Sequence, residues 1–321
     1  MCYFIPMYKS IVLFGVGYWG KNHLRELSSN KSVKSVFVVD PYYDLNPDLV
    51  KDYPDVIFFK SYDDFLNQHL KADGAIIATP PSTHFDIAKK CLENNLHVLI
   101  EKPMVETLEE LDILHKLAGD NKVLMSGHTY LYNPAIKRMK EIIDSDELGD
   151  IMFIHSKRLN FGIMREDTDV FLSLAPHDIS LIQFFMNDEE YLKMSNNKSN
   201  FTFSPYDDFS STHLTYKNNI FAQIDVSWYY PEKIRSLSII GTKKTIVFDD
   251  MDKKILLHDI SIDSKYNHHN NRSKEIDFDQ SISPLTNEIN HFLQYFDNPS
   301  DCITGYNHTK NVIRVLEKYY K

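Results

Sequence analysis

Short apolar runs recur through the first 126 residues, with helical stretches between them. Residues 10–14, 36–39, 55–59, 75–78, 96–100 and 122–127 are mostly continuous rather than alternating in polarity. Such runs suit strands buried on both faces. Between them, residues 21–27, 62–70, 85–93 and 108–117 carry helical spacing. Ser82 or Thr83 is placed to cap the helix at 85–93. Thr107 with Glu110 makes a capping box for the helix at 108–117. Strands alternating with helices predict a doubly wound parallel α/β sheet over residues 1–126.

The pattern changes after Gly127. A helix is expected over 135–143, then strands at 151–158, 210–216, 220–228, 235–240, 245–248 and 254–257. Several alternate apolar with polar residues, which suits an antiparallel sheet with two unlike faces. Residues 195–200 and 266–273 are rich in Asn, Lys and His and read as exposed loops. Helices at 286–296 and 306–319 close the chain, and the last can pack back on the first domain. Residues 127–321 are thus expected to form an α+β domain with a large, open, mostly antiparallel sheet. A sheet face of that size rarely stays bare, so a homodimer or homotetramer through it is expected.

Composition narrows this only a little. The chain has 321 residues, 43% of them hydrophobic and 25% charged, as in an ordinary globular protein of two domains. A formal net charge of −10 argues against nucleic acid or an anionic membrane surface as partners. An anionic substrate would need a local cluster of Arg or Lys. Cys2, Cys91 and Cys302 are scattered without metal or redox spacing, which fits a reducing, cytoplasmic setting. No signal-peptide layout and no run of ~18 apolar residues is present. The pair His268-His269 lacks further ligands at metal spacing, so no metal is expected.

The chemistry gathers at strand ends. Gly15-x-Gly17-x-x-Gly20 follows the first strand and opens a helix, enclosing Tyr18 and Trp19. That context fits a dinucleotide fingerprint, with the pyrophosphate at the helix N-terminus. Asp40 ends the second strand twenty positions after Gly20. A carboxylate there accepts hydrogen bonds from ribose hydroxyls and repels a 2′-phosphate. Pro41-Tyr42-Tyr43 supplies no Arg, so NAD is favoured over NADP. Thr79-Pro80-Pro81 stiffens the loop after the fourth strand, where His84 either lines the cofactor or is a loop histidine. Glu101-Lys102-Pro103 ends the fifth strand, where an open α/β sheet binds its ligand. Further on, residues 170–180 read as the start of a helix with His177-Asp178 in its first turn. The helix dipole would keep that imidazole neutral and able to accept a proton. Arg158, Asn160, Arg165 and Asp167 lie just upstream, either as a local anion site or as surface ion pairs.

These motifs, with Ala78-Thr79-Pro80, together resemble the glucose–fructose oxidoreductase/inositol dehydrogenase/MocA (Gfo/Idh/MocA) family, in order and spacing over essentially the whole chain. The resemblance implies a Rossmann domain followed by an α+β domain. It also implies NAD(P)-dependent oxidation or reduction of a sugar or cyclitol hydroxyl, with Lys102 and His177 as the catalytic pair. At finer grain, residues 17–22, the spaced Arg158, Asn160, Gly162, Arg165 and Asp167, and residues 174–180 are similar to a subgroup acting on nucleotide sugars. Those members are 3-dehydrogenases of UDP-N-acetylglucosamine or its uronate, whose 3-keto products serve cell-surface polysaccharide or lipid A precursor synthesis. On this reading Gly15, Gly17, Tyr18, Trp19, Gly20, Asp40, Thr79, Pro80, His84, Glu101 and Lys102 hold NAD. Tyr130, Asn133, Arg158, Asn160, Arg165, Ser173 and His177 hold a UDP-sugar. One departure stands out: many members carry Asp four residues before the histidine, and this chain has Ser173, which cannot act as a base at neutral pH. Lys102 as an alkoxide-stabilising charge and Lys102 as the base both remain open. The rival readings are an NADPH-dependent keto-sugar reductase and a non-catalytic NAD- and sugar-binding regulator.

Overall fold

The computed structural model describes residues 8–165, 168–203, 205–262 and 265–320. Cys2 and Asp167 lie outside the described residues. The chain divides into two compact units. One holds residues up to Thr129 together with Leu285–Ile313, and the other holds Tyr130–Pro284 together with the chain from Arg314 onward.

The first unit is built on β1 (Lys9–Phe14), α1 (Tyr18–Ser29), β2 (Val33–Val39), α2 (Pro47–Asp52), β3 (Ile57–Phe59), α3 (Tyr62–Asn67), β4 (Gly74–Ile77), α4 (His84–Glu93), β5 (His97–Glu101), α5 (Leu108–Ala118) and β6 (Leu124–Gly127). Its six strands are all parallel, in the order β3-β2-β1-β4-β5-β6. Ile11, Val12, Leu13, Ile76, Ile77, Leu99 and Ile100 are wholly buried, which is why their runs are continuous rather than alternating. The strand order reverses between β1 and β4, and ligands of such sheets bind outside the strand ends at that switch. Thr107 and Glu110 form the expected capping box on α5. Thr83 does not cap α4. Its hydroxyl bonds the Thr79 hydroxyl and the Pro80 carbonyl instead, both at 2.7 Å.

The second unit runs through α6 (Pro134–Asp144), β7 (Ile151–Phe161), α7 (Val170–Phe185), β8 (Lys193–Ser199), β9 (Phe209–Thr215), β10 (Phe221–Ser227), β11 (Tyr229–Gly241), β12 (Thr245–Asp249), β13 (Lys254–His258), β14 (Ile260–Ile262), β15 (His268–Asn270) and β16 (Lys274–Ile276). Eight strands form one sheet in the order β16-β13-β12-β11-β7-β10-β9-β8, antiparallel except for the β7–β10 pair. Two stretches expected as loops are partly strand. Residues 193–199 pair with β9, and 268–270 pair with β14. Both are polar because edge and ribbon strands face solvent, so they lack the apolar signal of a half-buried strand. Ile154, Leu214, Ala222, Ile224 and Val226 are buried on the sheet face that α7 covers, whereas Phe153, His155, His213 and Asp225 on the other face are half-buried.

Two helices close the chain, α8 (Pro284–Gln294) and α9 (Tyr306–Tyr319). The pattern change suggests one boundary near residue 126, but packing returns residues 285–313 to the first unit. Phe292 of α8 and Phe296, just past its end, lie on β4 at Gly74, where a Cβ would come within 2.7 Å of the Phe296 ring.

Candidate active site

The glycine loop of the first unit forms a cradle. Gly15 takes φ +83°, which favours glycine. A Cβ on Gly20 would lie 2.0 Å from the Gly15 carbonyl, so the helix approaches the strand end this closely only because residue 20 is glycine. A Cβ on Gly17 would meet nothing within 4 Å, so the backbone there is open to a ligand. Gly17 caps α1 without a side-chain oxygen, leaving the first-turn N–H groups suited to a phosphate. This arrangement fits a dinucleotide. Tyr18 and Trp19 stand exposed at the same helix end, their rings 5.9 Å apart. Asp40 joins the cradle, accepting the Val16 N–H at 2.8 Å and the Tyr42 N–H at 2.7 Å.

Neighbouring strand ends are tied to one another. Thr79 packs its methyl against Gly15. Pro80 starts the turn that ends in His84. His84 is buried, with Nδ1 2.9 Å from the Pro103 carbonyl and Nε2 2.9 Å from the Thr79 carbonyl. It thus joins two loops rather than presenting a free ring. Glu101 is nearly buried: one oxygen pairs with His23 Nε2 of α1 at 2.7 Å, and the other accepts the Lys102 N–H at 3.2 Å. Lys102 itself is half-buried and precedes a cis proline. His23 and Glu288 of α8 escaped the sequence reading. Both occupy positions on the apolar stripe of their helices, beside Leu24 and Leu27 and beside Leu285 and Ile289. A charged or imidazole side chain on such a stripe is the signal that could have found them.

In the second unit, α7 begins at Val170, capped by Asp169, which accepts the Leu172 N–H at 2.8 Å. His177 is therefore the eighth helical residue, not a first-turn residue. The dipole argument for its neutrality fails, because that effect fades within a turn. Ser173 lies one turn earlier on the same face, and both are half-buried. The His177 ring lies 4.9 Å from that of Tyr130, and the Arg158 guanidinium sits 4.6 Å from the centre of the same Tyr130 ring.

Arg158 is no surface ion pair. It is buried, with Nε 2.9 Å and Nη2 3.2 Å from the two Asp178 oxygens and Nη1 donating to the Tyr130 hydroxyl at 3.0 Å. Ser156 adds a 2.6 Å bond to Asp178. Burial opposes the guanidinium charge, but Asp178 and Tyr130 outweigh it and raise its pKa. Arg235, unnoticed in the sequence, stands across from Arg158 on β11 and reaches the Tyr130 hydroxyl at 3.4 Å. Asn133 caps α6 by accepting the Ala135 N–H at 2.9 Å. The Asn160 side chain folds over Gly162, and Arg165 is exposed after β7. The structure thus gathers Tyr130, Arg158, Ser173 and His177 around α7, while Asn133 serves a helix cap.

A six-stranded parallel sheet with a glycine cradle, joined to an open-sheet unit, defines a dinucleotide-binding α/β class. The chain belongs to the Gfo/Idh/MocA family of NAD-binding oxidoreductases. The family's NAD-binding Rossmann profile matches residues 9–128, and its GFO/IDH/MocA C-terminal domain profile matches residues 136–247. Among curated relatives, inositol 2-dehydrogenase 1 of Saccharopolyspora erythraea is 24% identical over 54% of this chain and 53% of its own length. UDP-N-acetylglucosamine 3-dehydrogenase of Acidithiobacillus ferrooxidans is 26% identical over 53% of this chain and 51% of its own. Glucose-6-phosphate 3-dehydrogenase of Bacillus subtilis is 31% identical over 46% and 41%. The chain thus spans about half the length, or less, of these relatives. The crystal structure of the Acidithiobacillus ferrooxidans UDP-N-acetylglucosamine 3-dehydrogenase superposes with a TM-score of 0.83 at 22% identity, covering 97% of this chain and 96% of that one. A gentamicin-biosynthesis protein crystallised with NAD superposes at 0.79 and 17% identity, covering 98% and 93%. Among the described residues, no helix is long and apolar enough to cross a membrane, and no three His, Cys, Asp or Glu side chains gather as a metal site.

Proposed function

We propose that the chain is an NAD-dependent dehydrogenase that oxidises a sugar hydroxyl, at C3 of a UDP-N-acetylhexosamine or its uronate. The observation that carries this is Lys102 just past the end of β5, its backbone N–H bonded to the Glu101 that pairs with His23, in the unit that also presents the glycine cradle. Bound NAD supplies the hydride acceptor. The loop around Gly15, Gly17 and Gly20 holds its pyrophosphate, and Asp40 takes its ribose hydroxyls in preference to a 2′-phosphate. His177 takes the hydroxyl proton. Lys102, as an ammonium, bonds the same oxygen and stabilises the developing alkoxide. With Ser173 where a carboxylate is usual, that lysine carries more of the charge stabilisation. Arg165, Asn160 and Tyr130 contact the substrate, and Arg158 acts behind Tyr130, holding it against His177. The likeness to the UDP-N-acetylglucosamine 3-dehydrogenase supports the sugar-nucleotide choice. Self-association through the sheet face bearing Phe153 and Asp225 completes the reading.

The experiment is steady-state oxidation of a UDP-sugar panel with NAD. Lys102→Met is expected to keep NAD affinity and melting temperature while kcat falls at least ~10²-fold, the scale of a lost transition-state donor. Near-normal turnover in that variant would overturn the assignment.

A further inference from the structure

Beside Tyr130 a second guanidinium stands opposite the first. Arg235 of β11 is the direct cross-strand partner of Arg158 on β7. Cross-strand partners share a sheet face, and Arg158 bonds Asp178 of α7, so both arginines lie on the face that α7 covers. Like charges placed directly opposite cost stability, and a local conflict kept in a fold marks function more than packing.

The two arginines are satisfied unequally. Arg158 is buried and closed, with two of its nitrogens on the Asp178 carboxylate at 2.9 and 3.2 Å. The Arg235 side chain is 39% exposed. Among the described residues its guanidinium makes two long polar contacts, 3.4 Å to the Tyr130 hydroxyl and 4.0 Å to the Asp250 carboxylate. An ion pair that long and that exposed contributes little. Asp250 is also held by other bonds: its carboxylate accepts the Tyr130 hydroxyl at 3.4 Å, and its backbone N–H donates to the Arg235 carbonyl at 2.9 Å. A guanidinium carries five donors in a planar fork, and most of the Arg235 fork is left for an incoming acceptor.

The place of that fork gives it a use. Arg235 reaches the hydroxyl end of Tyr130, and the ring of the same tyrosine lies 4.9 Å from the His177 ring. A molecule with its reacting hydroxyl at His177 therefore has Arg235 about one tyrosine length away, a gap that a sugar ring with a charged substituent spans.

We propose that Arg235 is a specificity-determining residue, the anchor for an oxyanion that the sugar substrate carries close to its reacting hydroxyl. This rests on the reading of His177 as the proton acceptor for a sugar nucleotide. Two groups of that substrate class supply such an anion, the carboxylate of the uronate and the diphosphate, and both match the fork. Asp250 competes with either one for the same donors.

Isothermal titration of the full-length chain reads this without turnover, with UDP-N-acetylglucosamine and its uronate as ligands. Arg235→Gln is expected to weaken binding about tenfold or more, the scale of a lost charge-assisted pair. A loss confined to the uronate assigns the carboxylate, and an equal loss on both ligands assigns the diphosphate. Asp250→Asn removes the competitor and is expected to tighten the same ligand. Opposite signs from the two partners of one ion pair do not come from damaged packing. Unchanged binding in Arg235→Gln, or weakening in both variants, overturns the inference. If a variant does not fold, wild type decides. Phenylglyoxal modifies accessible arginines, and peptide mass spectrometry reads its labelling of Arg235. D-glucuronate or inorganic pyrophosphate is expected to slow that labelling, and D-glucose is not. Labelling that neither anion slows, or that glucose slows as much, overturns the inference. A protected Arg235 in a wild type that oxidises no UDP-sugar would sink the functional reading alone and leave the anion site standing.

Discussion

Asp40 shows how one side chain serves structure and selectivity together. Its two carboxylate oxygens hold the Val16 and Tyr42 N–H groups, so it shapes the loop whose ligand it would also select. Asp40→Ala should bring NAD and NADP affinities closer, measured as the ratio of dissociation constants by fluorescence titration. A wild type that already prefers NADP would refute the role given to Asp40. The same variant should lose about 1–3 kcal/mol in urea unfolding, chiefly for the Val16 amide left without an acceptor. His97 gives a pH signature. Burial, with lesser pushes from Lys9 and Lys122, lowers its pKa to about 4, and its ring stacks on Phe296 at 3.9 Å. The unfolded chain takes up that proton near the ordinary value of 6.5, while the folded chain resists it down to about 4. Stability contributed by the neutral ring is therefore present above 6.5 and declines as pH falls toward 4. Melting temperature followed across that window should drop in wild type and drop less in His97→Gln. Asp40 is legible in the sequence because spacing from Gly20 announces it. His23 and Glu288 are not, because nothing local tells a buried polar partner from a misplaced surface one until the elements pack.

At the scale of elements, α7 carries the largest revision. Pro176 invites a helix start, since proline is favoured at the first helical position. Yet the helix runs through it from Val170, where Asp169 supplies the cap. The stretch 170–180 is legible as the start of a helix, but the turn in which it starts is not, because an all-apolar stretch has no periodicity to read. What holds α7 on its sheet is equally hidden: the Asp178–Arg158 pair spans twenty residues and joins helix to β7. Breaking one partner of such a pair leaves a buried charge uncompensated. Asp178→Asn is expected to cost about 3–5 kcal/mol by denaturant unfolding, and a loss under ~1 kcal/mol would mean the pair is dispensable. Strand β8 makes the opposite lesson. Its polar residues read as loop, and only pairing with β9 reveals a strand.

At the scale of the molecule, the parallel sheet and the open sheet are both legible from the switch between continuous and alternating apolar runs. The open sheet's outer face carries a connected cluster. Asp225 receives bonds from His155 at 2.7 Å, Ser211 at 2.6 Å and Gln223, which hold its carboxyl below the usual range although burial opposes them. Phe153 and Phe221 pack beside it, 5.7 Å apart. If this face joins copies of the chain, Phe221→Arg should lower the mass seen by sedimentation equilibrium without altering the melting of the separated chain. An unchanged mass for a wild-type oligomer would place the contact elsewhere. The first unit, finally, is discontinuous along the chain: its last pieces, including the Phe292 and Phe296 rings over Gly74, come from residues 285–313. During synthesis the ribosome must therefore deliver Tyr130–Pro284 of the second unit before the first can close over β4. Until then the nascent chain lacks the two rings that cover β4 at Gly74, and a chaperone would meet that apolar surface there.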